Sequence, residues 1–177
     1  MALDLHGTRG EASEALRDAD AAELRAAITD LLEAWRKHPL IDQEPLIDAG
    51  SAVAKSARES ADAWAIGWLD TGGASSKHVT LAASFCYGYW PWAPSIASEA
   101  VRRLAGLLDE FQADNLAYPM ALLALGSAVM SKSAKLPEDV AATVTRALLL
   151  HLQLLEKSGK HPGAAASLKR LRVPSGS

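Results

Sequence analysis

The sequence predicts an all-α protein, and its composition, apolar spacing and short connections support this. Thirty-five of its 177 residues are alanine, which is the best helix former and a poor strand former. Apolar residues recur at helical spacing along most of the chain, and short connections favour antiparallel neighbours. We expect a single compact bundle of about six antiparallel helices. The alternative is a short α-solenoid, because the later helices form two hairpins of about 40 residues, the length of some solenoid repeats.

The bulk composition excludes several classes of protein. Apolar residues make up 49% of the chain and charged residues 22%, which is far too apolar for a disordered protein. A single cysteine, Cys86, excludes a disulfide-stapled scaffold. The polar first twenty residues lack the apolar core of a secretory signal, and no stretch fits a membrane span. These features favour the cytoplasm.

Three regions are predicted from the pattern along the chain. Residues 1–18 are expected to be a flexible N-terminal segment. Residues 19–160 carry the helical periodicity and are expected to form one domain. Residues 161–177 are expected to be a basic C-terminal tail with a short helix.

The first helix is predicted over residues 20–38. Asp20 and Glu23 have the spacing of a capping box, in which each side chain satisfies the other residue's backbone N–H. Pro39 restricts the residue before it and so ends the helix.

A second helix is predicted over residues 43–70. Pro45 fits its first turn, where a missing N–H costs little, and an apolar stripe continues to the end. One long helix is the first expectation. The alternative is two abutting helices, because Ser56 and Glu59 could cap a restart.

The third helix is predicted to begin at Ser75 or Ser76 and to end near Tyr89. Two prolines then force a turn. The second of them, Pro94, suits the first position of a fourth helix, which carries an apolar face as far as Phe111.

The last two main helices are predicted over residues 117–131 and 137–158. The fifth has no charged residue, so it must be buried on every side. The sixth opens with a proline and two acids, and Gly159 is expected to follow it as a left-handed cap. A short basic helix is predicted near residues 163–172.

The motifs of catalysis and metal binding are missing from the sequence. Asp70-Thr71-Gly72 matches one aspartic-protease tripeptide, but that chemistry needs a second carboxylate, so we interpret it as a helix end. No histidine lies at helical spacing from Cys86, and the five histidines stand apart from one another. No glycine-rich phosphate loop occurs. We therefore predict no catalytic, cofactor-binding or metal-binding residues, which leaves open only an enzyme assembled from different helices.

The best candidate for a functional site is the aromatic turn, residues 85–92. It holds five of the chain's ten aromatic residues, and Trp and Tyr are enriched at binding hot spots. The aromatic residues could instead close one end of the fold against two tryptophans of the second helix. The predicted partner or ligand surface comprises Tyr87, Tyr89, Trp90, Trp92, Trp64 and Trp68.

An alternative function is binding of a small apolar ligand. The pocket would lie among the third, fifth and sixth predicted helices. His151, inside a leucine-rich helix, and Tyr118 would be its polar anchors.

Charge is unevenly distributed along the chain. Residues 1–114 carry 18 acidic and 10 basic side chains, whereas residues 115–177 carry 3 and 8. The basic tail includes Lys169, Arg170 and Arg172, which is too few bases for more than weak contact with nucleic acid. The expected partner is another protein or a second copy of the chain, and the expected function is a non-catalytic interaction module such as an adaptor, an immunity or antitoxin-like protein, or a subunit of a complex.

Overall fold

The structure, a computed structural model, describes residues 3–7, 9–72, 75–111 and 116–172. These residues form nine α-helices and no strand, which confirms the all-α prediction but not the count of six. None of these helices is both long and apolar enough to cross a membrane. The helices are α1 (Arg9–Ala15), α2 (Ala21–Lys37), α3 (Glu44–Ser56), α4 (Ala61–Gly72), α5 (Ser76–Tyr89), α6 (Ser98–Gly106), α7 (Ala117–Val129), α8 (Glu138–Ser158) and α9 (Pro162–Leu168), followed by a 3-10 turn over Lys169–Arg172.

The helices contact one another in two rows. The odd-numbered helices α1, α3, α5, α7 and α9 each pack against the next member of their row, and the even-numbered helices α2, α4, α6 and α8 do the same. Contacts between α4 and α5 and between α7 and α8 join the rows. Buried apolar side chains from all nine helices form one continuous core.

The N-terminal segment takes part in this core. Leu5, Ala12 and Leu16 are almost fully buried, and α1 packs against α3. The sequence predicts a flexible segment here because the many charged residues make its short apolar face difficult to recognise. That face finds its partner only in the folded chain.

The long helix predicted over residues 43–70 is two helices, so the single-helix prediction is wrong. Ala57 leaves the helical backbone with φ −68° and ψ 131°. The Tyr89 hydroxyl lies at the break, where it donates to the Glu59 carbonyl at 3.2 Å and accepts from the Ala61 N–H at 3.3 Å. Backbone groups that a continuous helix would satisfy are therefore bonded by a side chain from α5.

Helix α6 begins at Ser98, not at the predicted Pro94, and ends before Phe111. The residue before it, Ala97, is extended with φ −72° and ψ 113°. Its N–H donates to a carboxylate oxygen of Asp62 at 2.8 Å. This bond, across 35 positions of the chain, holds the segment out of the helix.

Glycines bring α3 and α5 into backbone contact. A Cβ on Gly50 would overlap the Phe85 carbonyl oxygen, and a Cβ on Gly88 would overlap the Ile47 carbonyl oxygen. The Ser51 hydroxyl donates to the Gly88 carbonyl at 3.1 Å across the same contact. The aromatic turn thus begins at the end of α5, which packs against α3 more closely than any other two helices of the odd row pack together.

Two predicted helix ends are confirmed by their local geometry. The Glu23 N–H donates to Asp20 Oδ1 at 2.9 Å, and the Asp20 N–H donates to Glu23 Oε2 at 3.1 Å, which completes the capping box. Gly159 ends α8 in the left-handed conformation, with φ 65°, where a side chain would be strained.

Candidate functional site

The aromatic turn is divided between the core and the surface. Phe85, Tyr89 and Trp90 have no exposed surface, whereas the Trp92 side chain is 57% exposed. Tyr87 is half-buried. The prediction that Tyr89 and Trp90 form a contact surface is wrong, because both side chains are enclosed by the helices around them.

Asp62 fixes the buried half of the turn. The Trp90 indole N–H donates to Asp62 Oδ2 at 2.8 Å, and the Ala63 N–H donates to Oδ1 at 3.0 Å. With the Ala97 N–H, three donors surround a side chain that has no exposed surface. Burial raises the pKa of the Asp62 carboxyl above its usual range, and the three donors oppose that rise. The Asp62 carboxylate therefore links α4, the aromatic turn and the start of α6 through hydrogen bonds.

The two tryptophans of α4 have separate surroundings. Trp68 is buried, so its prediction as a surface residue is wrong; its indole N–H donates to Glu33 at 2.8 Å, and its ring lies 5.0 Å from that of His78. Trp64 is half-buried and lines a groove of about 460 Å³ formed with the α1–α2 connection, which also includes Arg17. Neither side chain joins the exposed part of the aromatic turn.

One cleft is lined by residues of both the aromatic turn and the basic tail, the two features that the sequence singled out. It has a volume of about 230 Å³ and lies among the aromatic turn, α7 and the C-terminal helices. We call it the aromatic–basic cleft; its lining residues are Tyr87, Pro91, Leu123, Gly126, Ser127, Met130, Ser167, Leu168 and Arg170. Arg170 is its charged member, and Met130 is 43% exposed beside it.

The basic tail contributes unequally to this cleft. Arg170 lines it, whereas the Lys169 ammonium pairs with Glu156 at 3.4 Å on α8. The Arg172 side chain lies outside the part of the chain that the structure describes. Arg170 is therefore the tail residue that the cleft can use.

The predicted ligand anchors, Tyr118 and His151, contact each other. The Tyr118 hydroxyl lies 2.7 Å from His151 Nδ1, and the Asp109 carboxylate lies 3.8 Å from the other ring nitrogen, Nε2. Burial lowers the pKa of the His151 imidazole, and Asp109 opposes this. The Asp109 carboxylate near Nε2 favours the neutral tautomer in which Nε2 carries the proton and Nδ1 accepts from the hydroxyl. The hydrogen bond between the two side chains joins α7 to α8.

The other side chains that could take part in catalysis are either buried or held in an ion pair. Cys86 is fully buried, and burial raises the pKa of its thiol, which makes it a poor nucleophile. Asp70 lies near the end of α4 and pairs with Arg103 at 3.4 Å. Across the described residues, no group of three or more His, Cys, Asp or Glu side chains could hold a metal ion.

Sequence reasoning missed Asp62, Met130 and Leu168. An acid near a helix start is usually solvated and favoured by the helix dipole, so nothing in the sequence identified Asp62 as buried. Met130 and Leu168 reach the cleft only through the packing of α7 against α9. No local pattern predicts that contact.

Comparison with protein-family models, curated proteins and solved structures finds no match to this chain.

Proposed function

We propose that this protein is a non-catalytic helical module that binds another protein through the aromatic–basic cleft and the neighbouring Trp92. The observation that carries the proposal is the meeting of Tyr87 and Arg170 in one cleft. Tyr, Trp and Arg are the side chains most enriched at interface hot spots.

The cleft suits a peptide side chain better than a whole small ligand. Its volume of about 230 Å³ is below the 300–1,000 Å³ that is typical of small-molecule pockets. Apolar atoms of Pro91, Leu123 and Met130 favour an apolar anchor, and Arg170 favours a carboxylate beside it. The proposed partner therefore presents an apolar side chain flanked by an acid.

The order of the helices also supports an interaction module. Two rows in which each helix packs on the next are typical of stacked helical hairpins. We accordingly prefer a short α-solenoid to the predicted bundle, and such stacks offer extended binding surfaces.

The single buried cysteine fits a reducing compartment, so we place the protein in the cytoplasm.

The test is capture of partners from the source cells by the immobilised native chain, followed by mass spectrometry. Met130→Lys and Arg170→Glu each alter the cleft at an exposed side chain. Leu40→Lys is the matched control, because Leu40 is 72% exposed and lies outside the cleft lining. We expect the control to retain the wild-type partner and both cleft variants to lose it. Equal capture by all four proteins would contradict the proposal.

The alternative function, binding of an apolar ligand anchored by His151 and Tyr118, has less support. The hydrogen bond between these two side chains occupies the groups that would hold a ligand. A thermal-shift screen with apolar compounds tests it. A shift that disappears in Tyr118→Phe would favour the ligand over the protein partner.

A further inference from the structure

Helix α8 has a second stripe of apolar and small side chains, which lies on the flank of its buried face. Its buried side includes Val144, Leu148 and Leu155. Outside that buried side, Leu150 is 56% exposed and Leu154 is 50% exposed. These belong to a stripe with the 4-3-4 spacing of a coiled-coil seam, comprising Thr143, Ala147, Leu150 and Leu154.

The stripe continues into a groove beside α6. This groove has a volume of about 330 Å³. Its lining includes the small residues Ala105 and Gly106 of α6 and Thr143 and Ala147 of α8, together with the charged side chains Arg102 and Asp139. A Cβ on Gly106 would meet no atom within 4 Å. Small residues of this kind let a second helix approach closely along the seam.

Charges at the two ends of α8 are matched for an antiparallel partner. Asp139 and Lys157 are 18 positions apart, which is five helical turns, so they lie on one line beside the stripe. Asp139 pairs loosely with Arg102 at 3.4 Å, and its side chain is 76% exposed. The acid is at the first turn and the base at the last turn.

We propose that a second copy of this chain docks on the face formed by α6 and α8, with the two α8 helices antiparallel about a two-fold axis. The stripe and the Asp139–Lys157 line share almost the same midpoint, near position 148. Antiparallel pairing about that point puts Leu150 of each chain against Ala147 of the other. It also brings Asp139 of each chain opposite Lys157 of the second copy.

The self-complementary pattern selects a second copy as the occupant. A two-fold interface pairs the same surface of both copies, so the apolar contact and the ion pair each occur twice. Helix α8 is about 30 Å long, and with α6 beside it this face has room for the roughly 1,200–2,000 Å² that specific dimers bury. The face is built from even-row helices, whereas the aromatic–basic cleft is built from odd-row elements. The proposal is thus independent of the proposed partner site.

The first experiment is sedimentation velocity of the full chain from about 1 to about 300 µM, the range in which a modest dimer dissociates. We expect the sedimentation coefficient to rise with concentration to that of a dimer. Leu150→Lys with Leu154→Lys should leave a monomer throughout. The matched control Leu40→Lys, also at an exposed leucine, should behave as the wild type does.

The second experiment is a charge exchange, which leaves the apolar stripe intact. Asp139→Lys and Lys157→Asp should each weaken the dimer at low salt by about tenfold or more, and the double exchange should restore it. Circular dichroism at each step checks that α8 stays folded. A monomeric wild type, a dimer that ignores both sets of variants, or a double exchange without rescue would each overturn the proposal.

Discussion

The indole N–H of Trp90 donates to the carboxylate of Asp62 at 2.8 Å, with both side chains fully buried. This bond joins α4 to the aromatic turn across 28 positions of the chain. The same carboxylate binds the N–H of Ala97 just before α6. One side chain therefore sets where two helices meet and where a third begins.

Replacing Asp62 by Asn should reduce stability and change its dependence on pH. The amide presents one acceptor atom where the carboxylate presents two, so it leaves a donor unpaired at a cost of about 1–3 kcal/mol. Because the folded state raises the pKa of Asp62, its favourable contribution is present at low pH. That contribution is lost as the pH rises above about 3.9 and through the raised pKa.

Urea unfolding of the wild type and of Asp62→Asn between pH 4 and 8 measures this effect. The difference in free energy of unfolding should narrow as the pH rises. A difference that widens would mean that the folded state lowers this pKa.

The two tryptophans that end the aromatic turn should lose very different amounts of stability on truncation. Trp90→Ala removes a fully buried side chain and should cost about 3–5 kcal/mol. Trp92→Ala removes a side chain that is 57% exposed and should cost less than about 1 kcal/mol. Chemical denaturation followed by circular dichroism compares them. Similar losses in both variants would show that Trp92 also serves the core.

Gly88→Ala should destabilise the contact between α3 and α5. The new Cβ would overlap the Ile47 carbonyl, and such overpacking costs about 1–3 kcal/mol or more. Gly67→Ala in α4 is the matched control, because a Cβ there meets no atom within 4 Å. The control should gain about 0.5–1 kcal/mol from helix propensity. Thermal unfolding of both variants separates close packing from a general effect of glycine.

His151 should make the protein less stable in mild acid. Its pKa is lowered in the folded state by burial, so the unfolded chain binds the proton more readily. The contribution of the neutral ring is present above about pH 6.5 and is lost as the pH falls through the lowered pKa. Titration of the His151 ring protons by NMR should give a midpoint below the ordinary histidine value of about 6.5. A midpoint at or above about 6.5 would contradict the burial argument.

Local signals in the sequence predicted many of the helix ends correctly. The capping box at Asp20 and the left-handed Gly159 lie where the pattern indicates, because each depends on residues within one helical turn. The break between α3 and α4 and the late start of α6 depend on Tyr89 and Asp62 instead. These contacts span 28 and 35 positions, and no local pattern carries that information.

The candidate site also has some features that follow from the local sequence and others that depend on distant contacts. The concentration of aromatic residues is the reason for predicting a site at residues 85–92, but composition does not separate buried Trp90 from exposed Trp92. That distinction depends on the buried Asp62 acceptor. That Tyr87 and Arg170 line the same cleft depends on the packing of α9 against α7, which periodicity alone does not specify.

The two-row packing of the helices bears on how the chain folds. Because helices contact mainly those one or two places along the chain, native contacts close loops much shorter than the whole chain, which limits the entropy lost in closing them. Folding can therefore begin at any helix pair and spread to its neighbours. The amides of α1, at one end of the row, can exchange with solvent by local opening while those of α7 stay protected.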